Sequence, residues 1–469
     1  MKKLSRGARE DMKGFVRVAE TLLEIAVLSL LYYCIWATYD LPVFAYRGKY
    51  VLMGVYALLL YAFFQNAECT KFGQLRRIDL ILGQVIALLL VNFITYFQMC
   101  LIANRMLSLP PMLGLMALEI GAAVLLIYLY TWLYHRLYAP HDMLLIYGNQ
   151  RGVELKIKMD SRKDKYNISH LISVEEGLDT IFRTIPNYDA VILNDVPAQA
   201  RNDILKFCYR YRIRTYVAPK LTDIMIRGAK NITLFDTPLL LVKGTGLTPA
   251  QRVVKRSMDI LLSALALLAL SPVMLLVAVG IKLEDGGPVF YKQKRLTRNG
   301  REFEILKFRS MIVNAEQYAG AVLATDADPR ITKMGRFIRA TRMDELPQLI
   351  NILRGDMSIV GPRPERKVIA EEYYKELPEF AYRLKVRGGL TGYAQIYGKN
   401  NTNPYDKLRL DLMYIENYSL MMDIKLIILT LRVIFSKEST EGIDKAAENQ
   451  KKAEALFHQI QEDTRDSGQ

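Results

Sequence analysis

The sequence predicts a membrane protein of mixed α and α/β class. It has a four-helix transmembrane bundle, a small α/β domain, and a second mixed α/β domain anchored by a membrane helix that turns back and by interfacial amphipathic helices. Three observations predict this. Long apolar runs fill the first 138 residues, and a fifth follows after residue 255. Between these, short β-rich runs alternate with amphipathic stretches. The 469 residues are also too many for one core, and 51 % hydrophobic content with a net charge of +15 suits a chain facing an anionic membrane surface or anionic substrates. Nucleic acid would also match the charge, but apolar runs of this length argue against it.

The first domain, residues 1–138, contains runs at Leu22 to Tyr39, Val51 to Phe64, Leu80 to Ala103 and Met112 to Tyr134. The first, third and fourth reach spanning length, and the second does so with Tyr50 and Gln65. No cleavage site follows the first, so it is expected to stay as a span. Lys2, Lys3, Arg6, Arg9, Lys13 and Arg17 precede it, and Lys71, Arg76 and Arg77 lie between the second and third runs. The alternate loops carry only Arg47 with Lys49, and Arg105. The positive-inside rule then places both ends of the bundle in the cytoplasm.

Residues 139–246 read as a small Rossmann-like α/β domain with a parallel sheet. MLLIYG, YDAVILND and RTYVAP are strands bounded by turn residues, and DILKFCYRYR is an amphipathic helix between the last two. The first strand ends in GNQRG, which matches neither G-x-G-x-x-G nor a Walker sequence, so dinucleotide binding is poorly supported and a structural or regulatory role is favoured. The four cysteines lie far apart and signal neither a disulfide framework nor a zinc site.

Residues 250–437 form the third domain. Its fifth apolar run, Ile260 to Ile281, lies within an anchor at residues 256–283 with Ser271 and Pro272 near the middle. Proline removes a backbone hydrogen bond there, and serine helps re-satisfy the freed group. Lys255 and Arg256 precede the run; Lys282, Lys292, Lys294, Arg295 and Arg298 follow. Both ends therefore favour the cytoplasm, so a broken, re-entrant helix is expected, with a kinked full span as the competing reading. PVFYKQKRLTRNGREFEILKFRSM reads as two strands joined at Asn299-Gly300, delivering Lys307 and Arg309 beside the next motif. LMMDIKLIILTLRVIF, interrupted by Asp423, Lys425 and Arg432, suits an interfacial helix. Residues 438–469 are a polar tail.

The chemistry centres on Arg339 to Glu365, RATRMDELPQLINILRGDMSIVGPRPE. Leu346, Leu349, Ile350 and Leu353 give one helical face, Pro347 suits a first turn, and Gly355 ends the helix. Asp344 is then expected at the N-cap or in the first turn, where the helix dipole favours its ionised form, with Arg339 and Arg342 beside it. Pro362 and Pro364 hold Arg363 on a rigid loop suited to phosphate. An ordinary capping aspartate with a solvated Glu345 is the structural alternative. No histidine lies between Gln251 and Glu441, so carboxylates, cations and a metal must do the work. Aspartate can attack phosphorus, while Lys, Arg and magnesium neutralise the transferring group. Membrane insertion points to a lipid substrate. A lipid phosphatase or nucleotidyltransferase, and a non-enzymatic scaffold for polysaccharide export, remain open on these observations.

KRSMDILLSALALLALSPVMLLVAVGIKLEDGGPVFYKQKR, LKFRSM, RMDELPQLINILRGDMSIVGPRPE and LTGYAQIYGKNN, in that order over about Lys255 to Phe435, resemble the bacterial sugar transferases. These are monotopic phosphoglycosyl transferases that prime extracellular polysaccharide assembly on polyprenyl (undecaprenyl) phosphate in the inner (cytoplasmic) membrane. Four spans plus an α/β domain resemble the family's long form. The resemblance implies that Asp344 attacks the β-phosphate of a UDP-sugar, releasing UMP, and that Glu345 is a base or orients the polyprenyl phosphate. It also implies that Lys307 and Arg339 hold phosphates, with Mg2+ near Asp344. Arg309, Arg342, Pro362, Arg363 and Pro364 would line the substrate site, and Ser271-Pro272 would break the anchor helix. The family's Arg-Pro-Gly is Arg387-Gly388-Gly389 here, which weakens the nucleotide contact implied for Arg387. Asp411 matches an acidic position, with a plain helix-face role equally open. Anionic lipids are expected partners, and the bundle and the α/β domain are each candidate dimer surfaces. Nothing in the sequence selects the sugar.

Overall fold

The computed structural model describes residues 6–36, 47–73, 75–138, 140–149, 151–160, 165–313, 328–398 and 402–434. The 438–469 tail lies outside them. The chain divides between Ala218 and Pro219 into two compact units.

The first unit opens with helices α1 (Arg6–Trp36), α2 (Gly48–Asn66), α3 (Arg77–Ala103) and α4 (Pro110–Leu137). By length and apolarity α2, α3 and α4 can cross a membrane, as the sequence predicts. The first predicted span continues past Trp36, outside the described residues. Each helix packs on the next, and α1 closes against α4. Inside this bundle Glu119 accepts hydrogen bonds from Tyr56 Oη at 2.5 Å and Asn92 Nδ2 at 2.6 Å. These satisfy a carboxylate that an apolar interior would otherwise penalise heavily.

The same unit continues as an α/β sheet. Strands β1 (His141–Tyr147), β2 (Tyr166–Ser173), β3 (Ala190–Asn194) and β4 (Arg214–Val217) are parallel in the order β2-β1-β3-β4. Helices α5 (Arg151–Asp160), α6 (Leu178–Thr184) and α7 (Ala198–Arg210) make the connections. The three predicted strands and helix α7 are present. The sequence reading lacked β2, whose residues YNISHLIS are exposed or half-exposed at all but two positions and give no apolar run.

The second unit starts with helix α8 (Leu221–Arg227) and the antiparallel strands β5 (Lys230–Leu234) and β6 (Thr237–Leu241). Helix α9 (Pro249–Asp285) then runs 37 residues with Pro272 inside it. Ser271 Oγ donates to the Leu268 carbonyl at 2.9 Å, the backbone repair expected next to a proline. Strands β7 (Phe290–Leu296) and β8 (Glu302–Phe308) pair antiparallel around the predicted Asn299-Gly300 turn, where both residues take positive φ. Helices α10 (Lys333–Ala340) and α11 (Gln348–Arg354) bracket the Asp-Glu motif. Strand β9 (Ser358–Val360) pairs in parallel with β10 (Gly389–Thr391). Helices α12 (Lys367–Glu376), α13 (Tyr393–Tyr397), α14 (Pro404–Glu416) and α15 (Leu420–Ile434) complete the described chain.

Its core joins Ile305, Ile352, Met357, Val360, Phe380, Leu408, Leu412 and Leu426, with Ile224 of α8 and Leu247. Both ends of α9 dock on this unit. At one end Lys255 Nζ pairs with Asp423 of α15 at 2.6 Å, and Arg256 donates to the Ile352 and Leu353 carbonyls that end α11. At the other, Val277 and Ile281 pack with Phe308 and Ile338. Between them Leu261, Leu265, Leu268, Leu275 and Leu276 are exposed, leaving an apolar surface for lipid. Helix α15 has one face buried in the unit and another exposed. Its Asp423 is fully buried in the Lys255 pair and Leu426 and Leu429 are core residues, while Met421 and Leu431 stay exposed.

Candidate active site

Asp344 and Glu345 lie in a single 3-10 turn, Met343–Glu345, and α11 begins three residues later at Gln348. Asp344 therefore does not cap α11, contrary to the sequence expectation. Pro347 takes the N-cap place because the tight turn uses up the residues before it. Arg342, at φ 58°, turns the chain out of α10 into this motif through a left-handed conformation that a non-glycine residue adopts at a cost of about 1–2 kcal/mol.

Glu345 is the better held of the two carboxylates. Its Oε1 accepts from Lys307 Nζ at 3.1 Å and from Arg363 Nη2 at 3.0 Å. Burial alone would raise its pKa, but Lys307, Arg363 and Arg342 outweigh it and hold the group well below the ordinary glutamate range. Asp344 shifts the other way. Burial first, then the charge of Glu345, push its pKa up, against the fields of Lys307, Arg339 and Arg342. The helix-end stabilisation expected from sequence is therefore absent, and burial works against the ionised form instead. Four cations nevertheless face this carboxylate pair, an excess suited to a phosphate-bearing substrate.

Lys307 reaches the pair from β8, as predicted. Arg309 does not: its guanidinium bonds Asp285 at the end of α9 instead. The Gly361–Pro364 loop is held from behind. Gly361 N donates to the Thr391 carbonyl and Gly389 N to the Pro362 carbonyl, and a Cβ on Gly361 or Gly389 would strike the opposite backbone. Arg295 Nη1 donates to the Pro364 carbonyl at 3.2 Å, and Arg383 Nη2 to the Arg363 carbonyl at 3.1 Å.

Behind this loop is a network that sequence reading did not find. Glu365 pairs with Lys407 at 2.5 Å and with Arg383 at 3.4 Å, and these cations lower its pKa to about 2. Arg383 also holds Asp411 at 2.7 Å. Asp411 is 1 % exposed, so it positions Arg383 rather than touching a ligand. Burial raises its pKa despite that partner. Of its members the sequence marks only Asp411 and Glu365, the latter at the end of GPRPE. Arg387 lies near Arg298, Arg256, Arg301 and Asp259, with its carbonyl against Gly361 at the start of the loop.

These residues all fall within the part of the chain that the comparisons recognise. Residues 250–437 match the bacterial sugar transferase family. The chain is also similar to curated relatives. It is 38 % identical over 263 residues to the UDP-N-acetylgalactosamine-undecaprenyl-phosphate N-acetylgalactosaminephosphotransferase of Aeromonas hydrophila, covering 54 % of this chain and 61 % of that one. It is 41 % identical over 211 residues to the UDP-glucose:undecaprenyl-phosphate glucose-1-phosphate transferase of Escherichia coli, covering 44 % of each chain. The undecaprenyl-phosphate galactose phosphotransferase of Salmonella typhimurium is 35 % identical over 217 residues, covering 43 % of this chain and 45 % of that one. The aligned part therefore spans about half the length of these relatives.

Proposed function

We propose that this protein transfers a hexose 1-phosphate from a UDP-sugar to polyprenyl (undecaprenyl) phosphate at the cytoplasmic face of a bacterial inner membrane. The observation that carries this reading is the Asp344–Glu345 turn, with Lys307 and Arg363 fixed on Glu345, inside the sugar transferase segment. Asp344 has no hydrogen-bond partner among the described residues, which leaves its carboxylate open to attack the β-phosphorus of the donor. The phosphorus–oxygen bond to UMP breaks and an aspartyl phospho-sugar forms. A phosphate oxygen of the polyprenyl acceptor then attacks the same phosphorus, breaks the bond to Asp344 and leaves polyprenyl-diphosphate-hexose. Glu345, held ionised, orients Lys307 and Arg363 on the donor phosphates.

Among the described residues no group of three His, Cys, Asp or Glu side chains could hold a metal. Asp344, whose carboxylate has no hydrogen-bond partner among the described residues, would hold Mg2+ together with substrate phosphates and water. When bound, the ion would neutralise charge on the diphosphate.

The membrane part of the proposal is that α9 is re-entrant. Two facts support it: both its ends dock on one unit, and the exposed leucines lie between them around Ser271 and Pro272. Cysteines introduced near Lys255 and near Lys292 should be labelled by an impermeant reagent from the same side; labelling from opposite sides would favour a full span.

The catalytic test uses donor labelled in the β-phosphate. The intact protein should trap label covalently, and Asp344→Asn should trap none and lose turnover by at least about 1000-fold, as removal of other covalent nucleophiles does. Undiminished labelling of that variant would defeat the nucleophile assignment.

A further inference from the structure

The loop around Arg387 contains a concentration of positive charge whose arginines are not those that face the Asp344 pair. It is built on a backbone hub. Thr297 Oγ1 donates to the Asp356 carbonyl at 2.8 Å and accepts from Gly388 N at 3.3 Å, while Ser358 N donates to the Gly388 carbonyl at 2.9 Å. Each end of the Thr297–Gly388 contact carries an arginine as its chain neighbour: Arg298 on one side, Arg387 on the other. Two further arginines are anchored at the same place. Arg301 pairs with Asp356 at 2.7 Å, and the Arg256 guanidinium lies against Gly355 while capping the last carbonyls of α11.

The pairing is uneven. Arg256 and Arg301 are satisfied, but among the described residues the guanidinium groups of Arg298 and Arg387 have no hydrogen-bond or ion-pair partner. Arg387 is half-buried and in the field of the other three arginines. Two carboxylates, Asp259 and Asp356, do not balance four guanidinium groups. Asp259 is further committed through Oδ1 to Ser358 Oγ and Ile359 N, both at 3.0 Å. Unpaired guanidinium groups held near one another attract an anion, and the planar fork of arginine matches phosphate oxygens. The location selects the carrier of that phosphate. Arg256 lies on α9 itself, where Val253, Val254, Ile260 and Leu261 are exposed around it. That is the depth at which an apolar helix surface meets headgroups.

We propose that Arg256, Arg298, Arg301 and Arg387 bind the headgroup phosphate of an anionic phospholipid at the N-terminal end of α9. The proposal rests on the membrane placement of α9 given above. It also gives Arg387 a role away from the nucleotide.

The test uses the full chain in neutral detergent, with thermal unfolding read against added phosphatidylglycerol, phosphatidylcholine or inorganic phosphate. Phosphatidylglycerol should raise the midpoint saturably, with a response that weakens as salt rises. The double variant R298Q/R387Q should weaken the apparent affinity at least tenfold, whereas R298K/R387K, which keeps the charge but loses the planar fork, should weaken it less than the glutamine variant does. Equal midpoints for the three proteins without lipid show that the variants are folded. A glutamine variant that responds to phosphatidylglycerol as the parent does would overturn the site. So would inorganic phosphate matching the lipid, which would make it an adventitious ion only. UMP release from UDP-sugar and polyprenyl phosphate is measured on the same preparations. A protein that binds phosphatidylglycerol through these arginines but releases no UMP sinks the transferase reading alone; one that releases UMP while the glutamine variant keeps parental lipid affinity sinks this site alone.

Discussion

Asp344 and Glu345 are chemically alike and adjacent, yet their surroundings drive them to opposite protonation behaviour. Glu345 receives two direct cationic donors and stays ionised, whereas Asp344 receives fields without contacts and bears the cost of burial. Only the ionised form of Asp344 can attack phosphorus, so covalent labelling should fail on acidification at a pH above the usual aspartate value; stopped-flow or quench labelling across pH reads this. Lys307→Ala removes a donor from Glu345 and a positive field from Asp344. It should cost about 100- to 1000-fold in labelling rate, the range found for other electrostatic donors at charge-developing sites. Glu365 gives the opposite linkage, affecting stability. Its pKa falls from 4.5 to about 2 on folding, so the unfolded chain takes up a proton between those values. The stabilisation is complete above about pH 5 and is lost as pH falls toward 2. Urea unfolding of Glu365→Gln should show less acid sensitivity than the parent in that window.

At the scale of elements, α9 is coupled to the candidate site through two residues one turn apart. Lys255 reaches Asp423, whose other oxygen accepts from Tyr414 Oη at 2.7 Å. Asp259 holds the backbone of β9, which leads directly into the Gly361–Pro364 loop. Breaking one partner of a buried pair leaves the other charge stranded, so Lys255→Met should destabilise the protein by about 3–5 kcal/mol. The K255M/D423L double variant should recover most of that, and thermal unfolding in detergent measures both. Equal destabilisation in the single and double variants would show that packing, not the stranded charge, sets the cost.

At the scale of the whole chain, the compact unit that carries the site begins at Pro219, ahead of the family match at residue 250. Ile224 of α8 and Leu247 are 2 % and 6 % exposed within its core. A protein beginning at residue 219 should therefore unfold at a higher temperature than one beginning at residue 249, which loses both side chains and leaves a cavity worth roughly 2–5 kcal/mol for each large residue removed. Equal midpoints would mean that α8 contributes only surface.

Local pattern was enough for the apolar helices, the Asn299-Gly300 hairpin, three of the four sheet strands and the Asp-Glu motif, because each depends on periodicity or turn chemistry within a few residues. The edge strand β2 escaped because a half-exposed strand carries no apolar run. Tertiary structure alone decided that Asp344 sits in a turn rather than at a helix cap, and that Arg309 turns to Asp285. It also decided that Asp411 and Glu365 act through Arg383. Those outcomes depend on which distant charges meet in a desolvated interior, and that is not encoded in the spacing of neighbouring residues.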